Sequence, residues 1–398
     1  MTDLDGVGRA AAQELVESSA PDLAAHFADL QRMRRRRGVA KLVAAGAATA
    51  LAVGGWQLAG SERDGDVQPA APVHLVLSDA RIASTELVAN VETHQDGGSI
   101  DHDRFDGITD DGFVVRSRYT YDGDLSEYAL FDPETGDTEW LPTPAWDVGD
   151  PFPVSLTSES LTFLDLHNAG RFALLTFDRD TDQWRRSVFE KPEDVDRFFG
   201  FTALVGDDDR VYLMNPAEQV SWFSVARDGT GLRPEPDLDG TTVAFSETVR
   251  ATASPTGRVV VDREGEPAQV VSEALPDGCA LEPTSLPTVA LAGDWPVVSY
   301  PCADGALTSV YDRAGHLYVD LVGDVAVGGA GPNHVLLTNA DGTFALSLAR
   351  RELFQVDVGN TSGFTGGRDV VGGLALWGVD ADHNPDVFSL SYWVGRLP

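Results

Sequence analysis

The stretch from Tyr128 to Trp140 reads YALFDPETGDTEW, and its pattern decides the fold. Four apolar or aromatic residues are followed by a turn that begins at Asp132 and ends near Gly136. An aspartate side chain closes such a turn, and a Thr-Gly pair allows the chain to reverse. The stretch therefore predicts two short strands joined by a tight hairpin.

The same pattern returns at regular distances along the chain. Further copies are LLTFDRDTDQW (174–184), VARDGTG (225–231) and VYDRAG (310–315). The spacing is 46 residues from Thr135 to Thr181 and 49 from Thr181 to Thr230, and Asp312 lies 85 residues past Arg227. A repeat of about 40–50 residues made of short strands is typical of a β-propeller blade.

Short apolar runs separated by Gly, Asp, Asn and Pro fill the rest of this region, as expected for antiparallel strands and hairpins. They are FVVRSRY (113–119), EYALF (127–131), RFALLTF (171–177), RVYLM (210–214), SWFSV (221–225), RVVVD (258–262), PVVSY (296–300), LTSVY (307–311), HVLLT (334–338), FALSL (344–348), LALWGV (374–379) and VFSLSYW (387–393).

The first copy resembles the tryptophan-docking motif of quinoprotein-type propellers, and the second copy resembles it with one residue fewer. The chain is therefore similar to the broad quinoprotein-like and WD-repeat-like propeller group over roughly residues 75–398. The residues that carry the resemblance are Asp132, Thr135, Gly136 and Trp140, then Asp178, Thr181 and Trp184. The resemblance implies an all-β propeller of about seven four-stranded blades, not quinone chemistry. We expect HLVLS (74–78) to complete the last blade and close the ring, which would remove its open edges.

A different segment precedes the strands. Residues 42–60 carry no charge, and as a helix their 19 residues would span about 28 Å, close to the thickness of a bilayer core. Five arginines and Lys41 lie on one side and three acidic residues (Glu62, Asp64, Asp66) on the other, which predicts a single transmembrane helix with a cytoplasmic N-terminus. A cleaved twin-arginine signal at RRGVAK (36–41) and a soluble Ala-rich helix are the alternatives.

The sequence thus divides into a cytoplasmic helical segment (1–41), a transmembrane helix (42–60), a linker (61–73) and an extracytoplasmic propeller (74–398). Periodic apolar residues predict two short helices within 1–41, one face of which could dock on a cytoplasmic protein. This layout resembles that of membrane-bound anti-sigma factors, although the zinc-binding motif common in that family has no counterpart, because no Cys precedes residue 279.

The net charge of the chain limits the kinds of binding partner that it can have. The chain has a net charge of −34, and residues 42–398 carry 22 Lys+Arg against 57 Asp+Glu, a net of −35. Nucleic-acid binding needs clustered Lys and Arg, so this sign argues against it. A solvating acidic surface and an acidic patch for a cationic partner both remain open.

Two kinds of special residue stand out in the distal region. Cys279 and Cys302 are the only cysteines, and an isolated pair in an exported domain predicts one disulfide, with two buried thiols as the alternative. Oxygen-bearing residues at alternate positions, as at the start of a calcium loop, are Asp380, Asp382, Asn384 and Asp386. Pro385 and Ser391 depart from that motif, so a solvated hairpin turn is the alternative, and calcium is the one cofactor that the sequence suggests.

No catalytic residues are identified, because GxSxG, P-loop and strand-linked GxGxxG motifs are absent from the sequence. Two function classes remain. The first is a membrane-anchored, non-enzymatic recognition or sensor module that binds an extracellular protein, peptide or glycan. The second is a propeller enzyme, such as a quinone-dependent oxidoreductase, a glycosidase or a lyase.

Overall fold

A computed structural model describes residues 71–398 except 83–84, 94–101, 120–124, 147, 149–150, 169–170, 191–201, 206–209, 216–219, 247, 282–284, 304, 340–341, 358–366 and 381–389. The predicted cytoplasmic segment (1–41), transmembrane helix (42–60) and most of the linker (61–73) lie outside these residues. Within the described part of the chain, no helix is long and apolar enough to cross a bilayer.

Seven sheets make up the fold, and each is one blade of a propeller. Three strands come first in the chain: β1 (Val73–Val76), β2 (Arg81–Ile82) and β3 (Glu86–Thr93). Single-turn 3-10 helices lie at Leu77–Asp79 and Pro236–Leu238.

Blades 1 to 6 each take four consecutive strands, and blade 7 takes the last three. Blade 1 contains β4 (His102–Ile108), β5 (Val114–Tyr119), β6 (Leu125–Phe131) and β7 (Thr138–Trp140); blade 2 contains β8 (Phe152–Leu156), β9 (Ser160–Asn168), β10 (Arg171–Asp178) and β11 (Gln183–Glu190). Blade 3 contains β12 (Thr202–Val205), β13 (Arg210–Asn215), β14 (Ser221–Ala226) and β15 (Arg233–Pro234); blade 4 contains β16 (Thr242–Phe245), β17 (Val249–Ala253), β18 (Val259–Arg263) and β19 (Gln269–Ser272). Blade 5 contains β20 (Thr288–Ala292), β21 (Trp295–Cys302), β22 (Gly305–Tyr311) and β23 (Leu317–Val322); blade 6 contains β24 (Ala326–Ala330), β25 (His334–Asn339), β26 (Gly342–Ser347) and β27 (Glu352–Asp357); blade 7 contains β28 (Gly367–Val371), β29 (Leu374–Asp380) and β30 (Leu390–Arg396).

The blades form a closed ring. The first strand of each blade contacts the first strand of the next, from β4 through β28 and back to β4. Side chains of the inner and central strands pack between neighbouring blades, as Tyr128 and Leu130 of blade 1 do against Phe163, Leu175 and Phe177 of blade 2. The prediction of an all-β, seven-bladed propeller is therefore confirmed.

The ring is closed by β3, which pairs antiparallel with β30 as the fourth strand of blade 7. The prediction that residues 74–78 complete the last blade is wrong. Val73–Val76 instead pairs parallel with β23, on the outer edge of blade 5. Closure needs a strand that runs antiparallel to β30, and β3 also brings Val88, Ala89 and Val91 into the core between blades 7 and 1.

Together, β1 and β2 form an outer strap (Val73–Ile82) over two blades. After β1, the chain continues to β2, which pairs parallel with β27 at the edge of blade 6. Leu75 and Leu77 pack against the core shared by blades 5 and 6. Leu77 lies directly over Gly323, where an added Cβ would come within 2.6 Å of the Cβ of Leu77.

The repeated aspartates hold the hairpins between the third and fourth strands. The Glu134 N–H donates to Asp132 Oδ1 at 2.7 Å and the Thr135 hydroxyl to Asp132 Oδ2 at 3.0 Å. Both contacts hold the pKa of Asp132 below its usual value, the backbone one more strongly. Gly136 then takes a left-handed conformation (φ 81°), which reverses the chain at no steric cost.

The second and third copies vary the same design. In blade 2 the Thr181 hydroxyl donates to Asp178 at 2.9 Å, and Asp182 takes the left-handed position (φ 55°) that Gly136 fills in blade 1. An aspartate tolerates this conformation better than most residues, so the turn survives without glycine. In the third copy the bonding aspartate is Asp228, whose Oδ1 accepts from the Thr230 hydroxyl at 2.6 Å, rather than the residue at the aligned position, Arg227.

The two tryptophans of the motif have different surroundings. Trp184 lies against Tyr128 and Phe177, each with its ring centroid 5.1 Å away, and its Nε1–H donates to the Pro142 carbonyl at 2.6 Å. It therefore attaches blade 2 to blade 1. Trp140 is 38% exposed and lies beneath the guanidinium of Arg118, 4.2 Å from the ring centroid.

Candidate functional site

Strand direction divides the loops between two faces of the ring. The turns that join first to second and third to fourth strands lie on one face, here the turn face. The turns that join second to third strands, and the links between blades, lie on the other, here the connection face. The Asp132 and Asp178 hairpins therefore belong to the turn face.

On the turn face, an ion pair couples blades 1 and 2. Arg179, at the end of β10, donates to both carboxylate oxygens of Asp111 at 3.0 and 2.9 Å. Burial alone would raise the pKa of Asp111, but hydrogen bonds from Arg179 and Thr109 outweigh it and hold the pKa below its usual value. This arrangement fixes one blade against the next.

A cavity opens on the connection face between blades 5 and 6, with a volume of about 560 Å³. Its walls come from the start of β20, the β21–β22 turn, the Gly323–Val325 link and the facing ends of β24 and β25. The residues that line it are Leu286, Thr288, Ser299, Pro301, Cys302, Ala303, Gly305, Ala306, Asp324, Val325, Ala326, Thr338 and Asn339. Its size is within the range of small-ligand sites in proteins.

Hydroxyl groups and one amide provide the neutral polar part of the lining. Ser299 is 5% exposed, and its hydroxyl lies 3.3 Å from that of Thr308 and 3.5 Å from the Val325 carbonyl. Asn339 accepts from the Gly342 N–H at 3.2 Å, which fixes the amide plane. These groups can hydrogen-bond a ligand from side chains that already have set orientations.

Among the described residues that line the cavity, Asp324 is the one that carries a charge. It lies exposed in the link between β23 and β24. Among the described residues, its carboxylate has neither an ion-pair partner nor a hydrogen-bond donor. The neighbouring backbone is held by hydrogen bonds from Gly323 N to the Ala306 carbonyl and from Val325 N to the Gly323 carbonyl, both at 3.0 Å.

A disulfide supports one wall of the cavity. Cys279 and Cys302 are bonded, with 5.1 Å between their Cα atoms, so the predicted bridge is confirmed. The Ala303 N–H donates to the Ala280 carbonyl at 2.9 Å beside it. The long link from blade 4 to blade 5 is therefore attached to the β21–β22 turn, whose residues Cys302 and Ala303 line the cavity.

Next to the disulfide, in the same hydrophobic cluster, Tyr300 is fully buried. Burial raises the pKa of its hydroxyl far above the usual value, and the Tyr311 hydroxyl 3.5 Å away adds to the effect. Tyr300 therefore stays protonated and acts as a packing residue.

The predicted calcium residues fall almost entirely outside the described part of the chain. Asp382, Asn384 and Asp386 lie outside the described residues, and of Asp380 only the backbone is described, at the end of β29. In the described part of the chain, no group of three or more His, Cys, Asp or Glu residues could hold a metal.

Sequence patterns did not indicate the cavity. Its residues come from two blades and from links between strands, and none belongs to a repeated motif. Of the predicted special residues that the structure describes, Cys302 is the one that lines it. The one available signal was charge: residues 264–349 contain 11 Asp+Glu but a single Arg and no Lys.

Comparisons with known proteins identify no family. No protein-family model matches the chain, and no curated protein matches its sequence. One solved structure with a similar fold is a prolyl endopeptidase, with 13% sequence identity and a TM-score of 0.45. The alignment covers 74% of this chain and 54% of that one. A second is an oligogalacturonate lyase in complex with manganese, with 12% identity and a TM-score of 0.46 over 80% of this chain and 98% of that one. A third is the oligogalacturonate lyase of Vibrio parahaemolyticus, with 11% identity and a TM-score of 0.47 over 79% of this chain and 99% of that one. At such identities the likeness concerns the propeller fold alone.

Proposed function

We propose that the chain is a membrane-anchored, extracytoplasmic recognition module, which binds a protein, peptide or glycan at the connection face of its propeller. The cavity between blades 5 and 6 is the observation that carries this proposal. It combines a suitable volume with hydroxyls, an amide and one carboxylate, groups that recognise a ligand by hydrogen bonding.

Two further features support the location outside the cytoplasm. The disulfide beside the cavity is of the kind that persists in oxidising compartments. The uncharged run at 42–60 follows a basic cluster and precedes acidic residues, which favours an N-terminus in the cytoplasm and a propeller outside. In a sensor, occupancy of the cavity would be reported to residues 1–41 inside the cell.

Binding to the cavity can be tested by comparing the full chain with a variant in which a large side chain fills the cavity. Ala326 is exposed at the cavity wall, so Ala326→Trp fills the space without replacing a core residue. The full chain would be applied to peptide and glycan arrays beside this variant. We expect a ligand whose binding the variant loses.

The same experiment separates recognition from catalysis. Each bound ligand would be recovered and its mass measured after prolonged incubation. A recognition module returns the ligand unchanged. A changed mass would replace the proposal with the enzyme alternative, and a glycan cleaved by elimination would indicate a lyase.

Orientation needs its own measurement. With a tag at the C-terminus, protease added to intact cells should digest the tagged domain of a membrane-bound chain. A tag that stays protected until the cells are lysed would contradict the extracytoplasmic location.

A further inference from the structure

We infer that the cavity between blades 5 and 6 takes a cationic side chain, lysine or arginine, from an extended segment of a partner protein, with Asp324 as its counter-ion. The inference rests on the proposed function and names the ligand chemistry at the same site.

The first argument is the contrast between Asp324 and other aspartates of the propeller. Asp111 has Arg179 at 2.9 Å, and Asp262 has Arg250 at 2.6 Å. Asp324 also lies in ordered backbone at a cavity, yet no described residue provides a cation for it. A carboxylate of this kind can form a charge-assisted hydrogen bond with a ligand without first giving up a partner.

The second argument is the charge of the surrounding chain. All lining residues fall within 264–349, which contain 11 Asp+Glu and one basic Lys or Arg residue, Arg313. Arg313 follows β22 on the turn face, where it pairs with Glu266 at 3.0 Å and Asp294 at 3.6 Å. The stretch that forms the cavity therefore brings no Lys or Arg to the connection face, whereas Asp324 adds a negative charge there, which attracts cations and disfavours anionic ligands.

The third argument is the shape of the lining. Apolar walls from Leu286, Pro301, Val325 and Ala326 surround the space beside the carboxylate. Lysine and arginine have apolar stems and charged heads, so the stem can pack on these walls while the head reaches Asp324. A volume of about 560 Å³ leaves room for the flanking main chain, to which Thr338 and Asn339 can hydrogen-bond.

Backbone order adds to the argument. The hydrogen bonds at Gly323 and Val325 hold the residues on both sides of Asp324, and Val325 is 4% exposed within the core of blades 5 and 6. The backbone at Asp324 therefore has little conformational freedom left to lose on binding, which favours affinity.

The test uses the full chain and libraries of heptapeptides with randomised flanks and a fixed central residue: arginine, citrulline, lysine, norleucine or glutamate. Citrulline matches arginine in shape but carries no charge. Retained peptide would be quantified by mass spectrometry for the wild type, Asp324→Asn, and Asp182→Asn as a matched control, because Asp182 lies exposed on the turn face of another blade.

We expect about tenfold or greater retention of arginine over citrulline, the effect of one hydrogen bond to a charged group. Asp324→Asn should bring that ratio close to one, Asp182→Asn should leave it unchanged, and added salt should reduce it. Equal retention of arginine and citrulline, or a preference that survives in Asp324→Asn, would overturn the inference.

Failure here is distinguishable from failure of the proposed function. Peptides that are retained regardless of central charge, but lost from Ala326→Trp, would leave the recognition site in place and remove only the cationic ligand. Retention of no library would overturn the inference as well, and the glycan arrays would then decide the proposed function.

Discussion

Removal of the Cys279–Cys302 disulfide should destabilise the propeller by an amount that its loop length sets. The perturbation is the double variant Cys279→Ala/Cys302→Ala, which keeps the site apolar because both cysteines pack against the core around Tyr300. Only the cross-link and the two sulfur atoms are lost.

The magnitude follows from the loop that the bridge closes. With a sequence separation of 23 residues, the chain-entropy relation gives about 3.4 kcal/mol at 25 °C. The compact unit Pro69–Pro398, at about 2.1 cal/mol/K of unfolding entropy per residue, has a total near 0.7 kcal/mol/K. The melting temperature should therefore fall by about 5 °C.

Thermal unfolding followed by circular dichroism measures this shift. Wild-type protein treated with a reducing agent should melt near the double variant, and the reducing agent should not lower the melting temperature of the variant further. A double variant that melts within about 1 °C of the oxidised wild type would refute the reasoning, because it would show that the bridge does not restrict the unfolded chain.

Three other changes probe separate contacts. Trp184→Ala should lower the free energy of unfolding, measured in urea, by about 3–5 kcal/mol, because a packed indole that joins two blades is lost. Trp140→Ala should lower it by only about 1 kcal/mol, because Trp140 is more exposed. Equal losses would contradict this difference in burial. Gly323→Ala forces a methyl group against Leu77 and should lower the free energy of unfolding by about 1–3 kcal/mol. The addition of Leu77→Gly should relieve the clash. Hydrogen exchange of the β1 amides would show whether the strap is released. Burial lowers the pKa of His334 below 6.5, so the unfolded state binds a proton at a higher pH than the folded state does, and stability should fall as the pH drops below 6.5. His334→Phe should flatten that dependence in urea titrations at pH 8 and 5. An unchanged slope would exclude this residue as its source.

Sequence predicted the central strands well and the outer ones poorly. Each of the twelve apolar runs overlaps a second or third strand of a blade, as RFALLTF (171–177) does with β10. These strands are covered on both sides by neighbouring blades, so apolar residues predominate in them. First and fourth strands, such as β24 with AVGGA or β15 with two residues, have no such pattern.

Closure and the third hairpin show where local patterns fail. Val73–Val76 and Glu86–Thr93 both read as strands, and their partners in the folded chain, β23 and β30, show that the second of them completes blade 7. In the third hairpin, the shift from Arg227 to Asp228 follows from a turn that is shorter by one residue. The cavity depends on contacts between blades, which a repeat pattern does not encode.

The strap has a mechanical consequence. A force applied at residue 72 along the axis of β1 acts first on that strand and loads its four register pairs with β23 in shear. Pairs loaded in this way must break together, whereas a strand pulled away sideways opens one pair at a time. The parallel contact of β2 with β27 and the ion pair between Arg81 and Glu352 come next along the chain. The strand that completes the ring, β3, would therefore bear tension only after both outer contacts had broken, so the strap protects the closure of the ring against a pull from the N-terminal side.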